Sequence, residues 1–480
     1  MSGSTDLLLY VILPYVVVPL AIYIAVLFAL NKKGWLGRDK PFALLGPILM
    51  VKTLRGRGLL ERLSRLKRFW NAFGDLGIVL ALVGMVAIFA LLLIGAWEAT
   101  SVPAAARPQA NTVLAIPGLN PFLPLGYGLL ALIVAVVLHE FCHGILARAN
   151  GIRVRSLGVL FLVIPLGAFV EQDDEDMSKA PARARDRVAA AGVMANFALA
   201  LVFFLILSGL LISSVHVKAD GVGILGVLPG TPAANTTTAL GPDALAPGDI
   251  ITAVNGTATP TTLRLEVALG NTHPGQTVAV QWYSQHSSGT VSANIQLASA
   301  LHFPNYFSGN ASVLRNISIL GISETPVPPS FVLSILSEGP FAAGASSLVQ
   351  SNNVLASSAL FLGLPFYNEM PIQGTMAQFY TVSGPLGAIG ASNGWMVVNA
   401  LYWLVWVNML LGVFNALPAV PLDGGFLFRD IVTGAVQRLR PALSAAQRDG
   451  AVNTLSIFAT LIVFFLLIWE IVGPYLFTAP

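Results

Sequence analysis

The sequence predicts a polytopic α-helical membrane protein, with about six transmembrane helices and a folded α+β module outside the bilayer. Three observations carry that prediction. Of the 480 residues, 55% are hydrophobic and only 10% are charged, and the mean hydropathy is +0.75, a composition foreign to soluble domains. Apolar runs near 7–30, 76–97, 123–148, 188–213, 394–414 and 452–473 are near the ~20 residues needed to cross a ~30 Å hydrocarbon core. Between the fourth and fifth runs the pattern changes to short alternating strands and glycine-rich turns. The expected divisions are 1–120, N-terminal helices and a basic segment; 121–214; 215–299, the module; 300–393; and 394–480.

The first run has no basic n-region and no Ala-x-Ala site at its end, so it reads as a retained helix rather than a signal peptide. Residues 31–70 then carry eleven Lys or Arg against Asp39 and Glu61, which assigns them to the cytoplasm by the positive-inside rule. Within them LLERLSRLKRFW reads as an amphipathic helix lying on an anionic membrane surface. Six spans put both termini outside. Residues 214–393 hold only Lys218, Arg264 and Arg315 against seven acidic groups, and the four N-x-Ser/Thr acceptors (Asn235, Asn255, Asn310, Asn316) fall there too, as expected of an external segment. The net charge of +3 does not call for a nucleic-acid partner.

The third run, ALIVAVVL, leads directly into His139-Glu140-Phe141-Cys142-His143-Gly144. Ionisable groups in hydrocarbon need a partner or a metal. On a helix His139 and His143 are one turn apart on one face, so both imidazoles can bind one zinc, with Glu140 beside them to polarise a water. A hydrolytic zinc usually has three protein ligands and an open position. Asp423 in Asn415-Ala-Leu-Pro418-Ala-Val-Pro421-Leu422-Asp423-Gly424-Gly425 is the candidate for the third, because the prolines break the helix before it and its depth is similar to that of His139. Gly424 and Gly425 would let backbone and substrate approach closely. Cys142, the only cysteine, rules out an intrachain disulfide framework and reads as small-residue packing. In the 149–187 loop VLFLVIPLGAFV is too short to cross as a helix and is interrupted by Pro165 and Gly167, so it is expected as a re-entrant or sheet-like element.

HEFCHG followed by NALPAVPLDGG resembles the site-2 protease family of intramembrane zinc metalloproteases, peptidase family M50, and most nearly its archaeal and bacterial branch. The resemblance implies that His139, His143 and Asp423 hold one Zn²⁺, that Glu140 is catalytic base and acid, and that substrates are transmembrane helices of type II orientation or remnants of a first cut. The segment ending GAFVE resembles the family's membrane-embedded β-hairpin. RVAAAGVMANF resembles the segment that sets an asparagine, here Asn196, near the cleft; Asn196 or Asn415 would bind substrate backbone or orient a ligand, or else make a helix–helix hydrogen bond. Water must reach the zinc, so the site is expected to open to the cytoplasm.

From 221, GVGILGVLPGTPAA, LAPGDIITAVNGT, TTLRLEVALG and PGQTVAVQWYSQHSSGTVSANIQL look like an extracytoplasmic PDZ domain, which would capture peptide termini by strand addition or filter substrates by size. Its carboxylate-binding loop is expected in GILGVLPGTPA. Residues 300–393 contain only short apolar pieces, and SGPLGAIG resembles the family's glycine-proline membrane-entry segment. Of the other classes, a catalytically silent PDZ-bearing sorting protein is disfavoured by the intact hydrolytic residues. A metal transporter is disfavoured because the polar groups sit at one depth rather than along a route.

Overall fold

The structure, a computed structural model, describes residues 18–37, 40–103, 107, 117–236, 240–340 and 354–476. Apart from single-turn helices, the order is α1 (Val18–Lys32), β1 (Phe42–Leu45), β2 (Ile48–Thr53), α2 (Arg57–Ser64), α3 (Lys67–Glu98), α4 (Leu125–Ala149), β3 (Val154–Leu162), β4 (Ile164–Gln172), α5 (Asp174–Lys179) and α6 (Ala182–Ser214). There follow β5 (Val215–Val217), β6 (Val222–Val227), β7 (Ile250–Val254), β8 (Thr257–Ala258), α7 (Thr262–Gly270), β9 (Thr277–Ser284), β10 (Gly289–Gln296), β11 (Ala298–Ser299), β12 (Ser318–Ile319), β13 (Ile322–Glu324), α8 (Pro329–Glu338), α9 (Val354–Gly363), β14 (Tyr380–Val382), α10 (Ala391–Asn415), α11 (Asp423–Leu439) and α12 (Ala445–Leu476).

Five described helices are long and apolar enough to cross a membrane: the one starting at Lys67, and α4, α6, α10 and α12. They match five of the six expected spans, each longer at one or both ends than the apolar run alone, because polar residues continue the helix beyond the hydrocarbon. Much of the first expected span, 7–17, lies outside the described residues, and its described part, α1, has 15 residues.

Two compact units divide the chain. The first comprises 1–120, 128–201 and 404–480. The expected hairpin is present as β3–β4, but it is only half of a four-stranded antiparallel sheet in the order β1-β2-β3-β4. The basic segment supplies the other half, where the sequence reading expected a surface helix. LLERLSRLKRFW is correspondingly split: α2 ends at Ser64, and KRFW opens the long helix α3. Its apolar residues are divided between two elements, and Leu60 is fully buried against α4 and β3 with Ile145, Leu146, Ile152, Val154 and Val188. Tyr23 of α1 fastens the sheet's other face, donating to Phe161 O at 3.2 Å and accepting Leu49 N–H at 3.1 Å. Helix α4 stops at Asn150–Gly151, where Gly151 has φ 84° and the Ile152 N–H returns to Ala147 O at 2.9 Å. The Arg187 guanidinium of α6 grips Asp75 of α3 through two hydrogen bonds of 2.7 Å.

The second unit comprises 121–127 and 202–403. Its main sheet runs β10-β9-β7-β6-β13, with β8 on β7, around a core of Val222, Ile224, Ile251, Leu265, Val280, Trp282 and Leu320. The expected α+β module is therefore present but extends past 299: Leu320 belongs to its core and β13 forms an edge strand beside β6. That strand is three residues long, too short for alternation to reveal it. FVLSIL and ALFLGLPF form short helices, as expected of pieces too short to span. SGPLGAIG forms the five-residue helix Gly384–Ala388. Asn399 of α10 brackets Ile372, accepting its N–H and donating to its carbonyl, both at 2.9 Å.

Leu60→Ala should destabilise the first unit by about 2–5 kcal/mol, read as a fall in thermal unfolding temperature in detergent. The neighbouring Leu59→Ala, whose side chain is exposed, should leave it nearly unchanged.

Candidate metal centre and active site

Helix α4 places His139 and His143 one turn apart, both buried, with Nε2 atoms 3.2 Å from each other. The break at 416–422 turns the chain so that α11 begins at Asp423. Asp423 Oδ2 lies 3.3 Å from His139 Nε2 and Oδ1 lies 3.4 Å from His143 Nε2. The three ligand atoms fall within 4.8 Å of one another. Asp423 Oδ2 is buried and has no hydrogen-bond partner, the arrangement of acceptors converging on a cation rather than on each other.

The remaining imidazole nitrogens face α6. His143 Nδ1 lies 2.7 Å from Val188 O; as the carbonyl can only accept, Nδ1 carries the proton and Nε2 presents its lone pair. The carboxamide of the fully buried Asn196 meets His139 Nδ1 at 3.1 Å. With its oxygen toward the ring, an assignment made from hydrogen-bond logic, it accepts Nδ1–H and leaves His139 Nε2 equally free. Orientation of metal-binding imidazoles by such partners is general. Gly192, one turn before Asn196 on α6, makes the space: a Cβ there would stand 2.3 Å from His139 Nε2 and 2.5 Å from His143 Nε2. Two imidazoles and a carboxylate are a donor set suited to Zn²⁺, and the cluster fits that ion.

Glu140 follows His139 on α4, and its Oε2 accepts the Val170 N–H of β4 at 3.1 Å. It lines a cavity of about 930 Å³ together with His143, Val170 and Asp423, and the same cavity is bordered by Arg185, Asp186, Arg429, Asp430 and Asp449. The charged wall provides a polar path for water to a site otherwise enclosed by apolar helices.

The other expected positions differ in what they do. Gly424 and Gly425 are needed for close approach, but to the chain's own backbone: Cβ atoms there would stand 2.1 Å from Ala416 O and 2.6 Å from Ala419 C, so they seat the first turn of α11 on the loop that aims Asp423. Asn415 ends α10 half-buried, and among the described residues no hydrogen bond joins its side chain to the cluster. Cys142 packs beside the apolar cluster around Leu60, apart from the ligand group. Gly192, Val188 and Val170 were missed. The first lies four residues before Asn196 in AAAGVMAN, a one-turn spacing that could have found it; the other two act through backbone atoms and leave no side-chain signal.

Gly192→Ala, which should favour helix by about 1 kcal/mol, should nevertheless displace both rings and strip metal from protein purified without added zinc, measured by elemental analysis. Asn196→Ala should weaken metal affinity about 10–100-fold in a chelator competition, with the helical content unchanged.

Comparison with known proteins agrees with this geometry. A chloroplast membrane metalloprotease of Arabidopsis thaliana, ARASP, is 26% identical over 331 residues, covering 61% of this chain and 66% of its own. A candidate zinc metalloprotease of Clostridium perfringens, CPE1693, is 24% identical over 347 residues, covering 66% and 90%. The protein MJ0971 of Methanocaldococcus jannaschii is 33% identical over 165 residues; the match spans 33% of this chain and 42% of that one. The profile of peptidase family M50 matches residues 127–462, which contain the HExxH helix, the sheet hairpin and Asp423, and the chain belongs to that family of membrane zinc metalloproteases.

Proposed function

We propose that this protein is an intramembrane zinc endopeptidase that cuts transmembrane helices of other membrane proteins, with His139, His143 and Asp423 as metal ligands and Glu140 as the catalytic acid and base. The observation that carries this reading is the convergence of two imidazoles and a carboxylate from separate apolar segments within 4.8 Å, beside a glutamate that opens onto a polar cavity.

Zn²⁺, when bound, supplies Lewis-acid polarisation of water and of the scissile carbonyl. Glu140 takes the proton of the attacking water and returns it to the leaving amine nitrogen. The Val170 N–H holds the carboxylate in place for both transfers. Asn196 fixes the His139 ring, a positioning role. β4 is an outer strand of its sheet, and an unwound stretch of substrate added along it would lie beside Glu140. Helical substrates must unwind locally, since a helix buries its peptide bonds in its own hydrogen bonds.

The charge pattern supports a multi-pass protein of the cell membrane, with the site near the cytoplasmic face and the 215–299 module outside. The module's short strands, its helix α7 and its edge strand β13 support a PDZ-like binder of peptide termini, acting as a substrate filter in regulated proteolysis.

Purified protein and Glu140→Gln, compared on a panel of membrane-helix substrates, should bind equal zinc. The variant should cleave at least about 100-fold more slowly. Equal cleavage by the two proteins would contradict the assignment.

A further inference from the structure

A second, independent cavity lies where the sheet leaves α1 and meets the basic segment. It measures about 660 Å³, within the range of small-ligand sites, and is lined by the cationic side chains of Lys40, Lys52, Arg55, Arg57, Arg153 and Arg155 against only two carboxylates, Glu171 and Asp173. Three of the cations are already paired. Lys52, whose side chain is 9% exposed, bonds Glu171 at 2.9 Å. Arg155 bonds Asp173 at 2.9 Å. Arg153 bonds Asp176 at 2.7 Å and holds that carboxyl at about 2. Lys40 turns its ammonium to Gly34 O. Among the described residues, Arg55 and Arg57 have no side-chain partner, and α2 starts at Arg57 with no side-chain cap, so the positive end of its peptide dipoles also faces this region.

The fold therefore gathers two unmatched guanidiniums at the mouth of a cavity whose floor is a buried, already neutralised ion pair. That is a receptor for a group carrying phosphate oxygens, for which guanidinium is the suited donor. The surroundings narrow the source. Leu54 is 66% exposed between Lys52 and Arg55, and Trp35, Leu44 and Leu45 are exposed on the same basic segment. Cations interleaved with exposed apolar side chains match an amphiphile at a membrane surface. We propose that this pocket binds the phosphate head group of an anionic membrane lipid, with Arg55 and Arg57 as the contacting residues and the acyl chains lying along the apolar side chains.

The site sits next to the proposed chemistry. Glu171, partner of Lys52, directly follows Val170, whose N–H holds Glu140. A bound head group would thus act on the strand that orients the catalytic carboxylate.

The test uses the full chain carrying Glu140→Gln, so that binding is read whether or not the protein is a protease. Lipid retention is measured by native mass spectrometry in a neutral detergent doped with phosphatidylglycerol or phosphatidylcholine, and inorganic phosphate is titrated separately. Phosphatidylglycerol should be retained over phosphatidylcholine, and Arg55→Gln with Arg57→Gln should weaken its binding about tenfold, the loss of one charge-assisted contact. Arg438→Gln with Arg440→Gln removes the same charge elsewhere and should change nothing. Equal losses in the two double variants would reduce the effect to diffuse electrostatics and overturn the proposal. Tight inorganic phosphate binding that the Arg55 and Arg57 changes abolish, without selective lipid retention, would assign the pocket to a soluble phosphate and overturn the lipid head group.

Discussion

Everything in the first unit follows from the cost of placing two imidazoles and two carboxylates among apolar helices. Any one of them alone would be a buried polar or charged group without compensation, costly enough to unfold or reprotonate the segment. The structure resolves this by bringing them together and giving each atom a defined counterpart. The outer imidazole nitrogens face Val188 O and Asn196, Glu140 is held by Val170 N–H, and the inner atoms of His139, His143 and Asp423 converge on one point. Only a cation at that point leaves none of the set unsatisfied. Metal binding and folding of this region are therefore coupled, as in other sites whose ligands would repel or clash without the ion.

That constraint explains the architecture around it. Helix α6 must approach α4 closely enough for Asn196 and Val188 to reach the rings, which is why a glycine stands at 192. Helix α11 must start abruptly after α10, which is why Gly424 and Gly425 tolerate backbone contacts that a Cβ would forbid. The sheet must pass beside Glu140, and it is fixed there by Leu60 and Tyr23 on one side and by the Arg148 to Glu61 ion pair that ties α4 to α2. The charged ends of α3 and α6 are tied through Asp75 and Arg187.

The centre of this arrangement was legible because its signal is local: His139, Glu140 and His143 are set by one helical turn, and Asp423 stands out as an acid after two prolines in apolar sequence. The long helices were legible for the same reason, through continuous hydropathy. What escaped was non-local or carried by backbone. The pairing of β2 with β3 joins residues about a hundred positions apart, and nothing in the basic segment advertises a strand, because its Lys and Arg dominate the pattern. The split of LLERLSRLKRFW at Leu66 depends on packing rather than propensity, and β13 adds three residues to a sheet whose other strands lie before residue 297. Asn196 was expected from a resemblance, yet its partner, His139, emerges only when α4 and α6 are side by side.

The central claim is that a zinc ion is held by two histidines and one aspartate with a position open to water. Zinc K-edge X-ray absorption on the purified protein tests it directly. The account predicts only nitrogen and oxygen neighbours at about 2.0–2.2 Å, two of them imidazole, with the imidazole scattering halved in His143→Ala. A sulfur neighbour at about 2.3 Å, which only Cys142 or a methionine of this chain or foreign thiol could supply, or imidazole scattering unchanged by the His143 substitution, would contradict it.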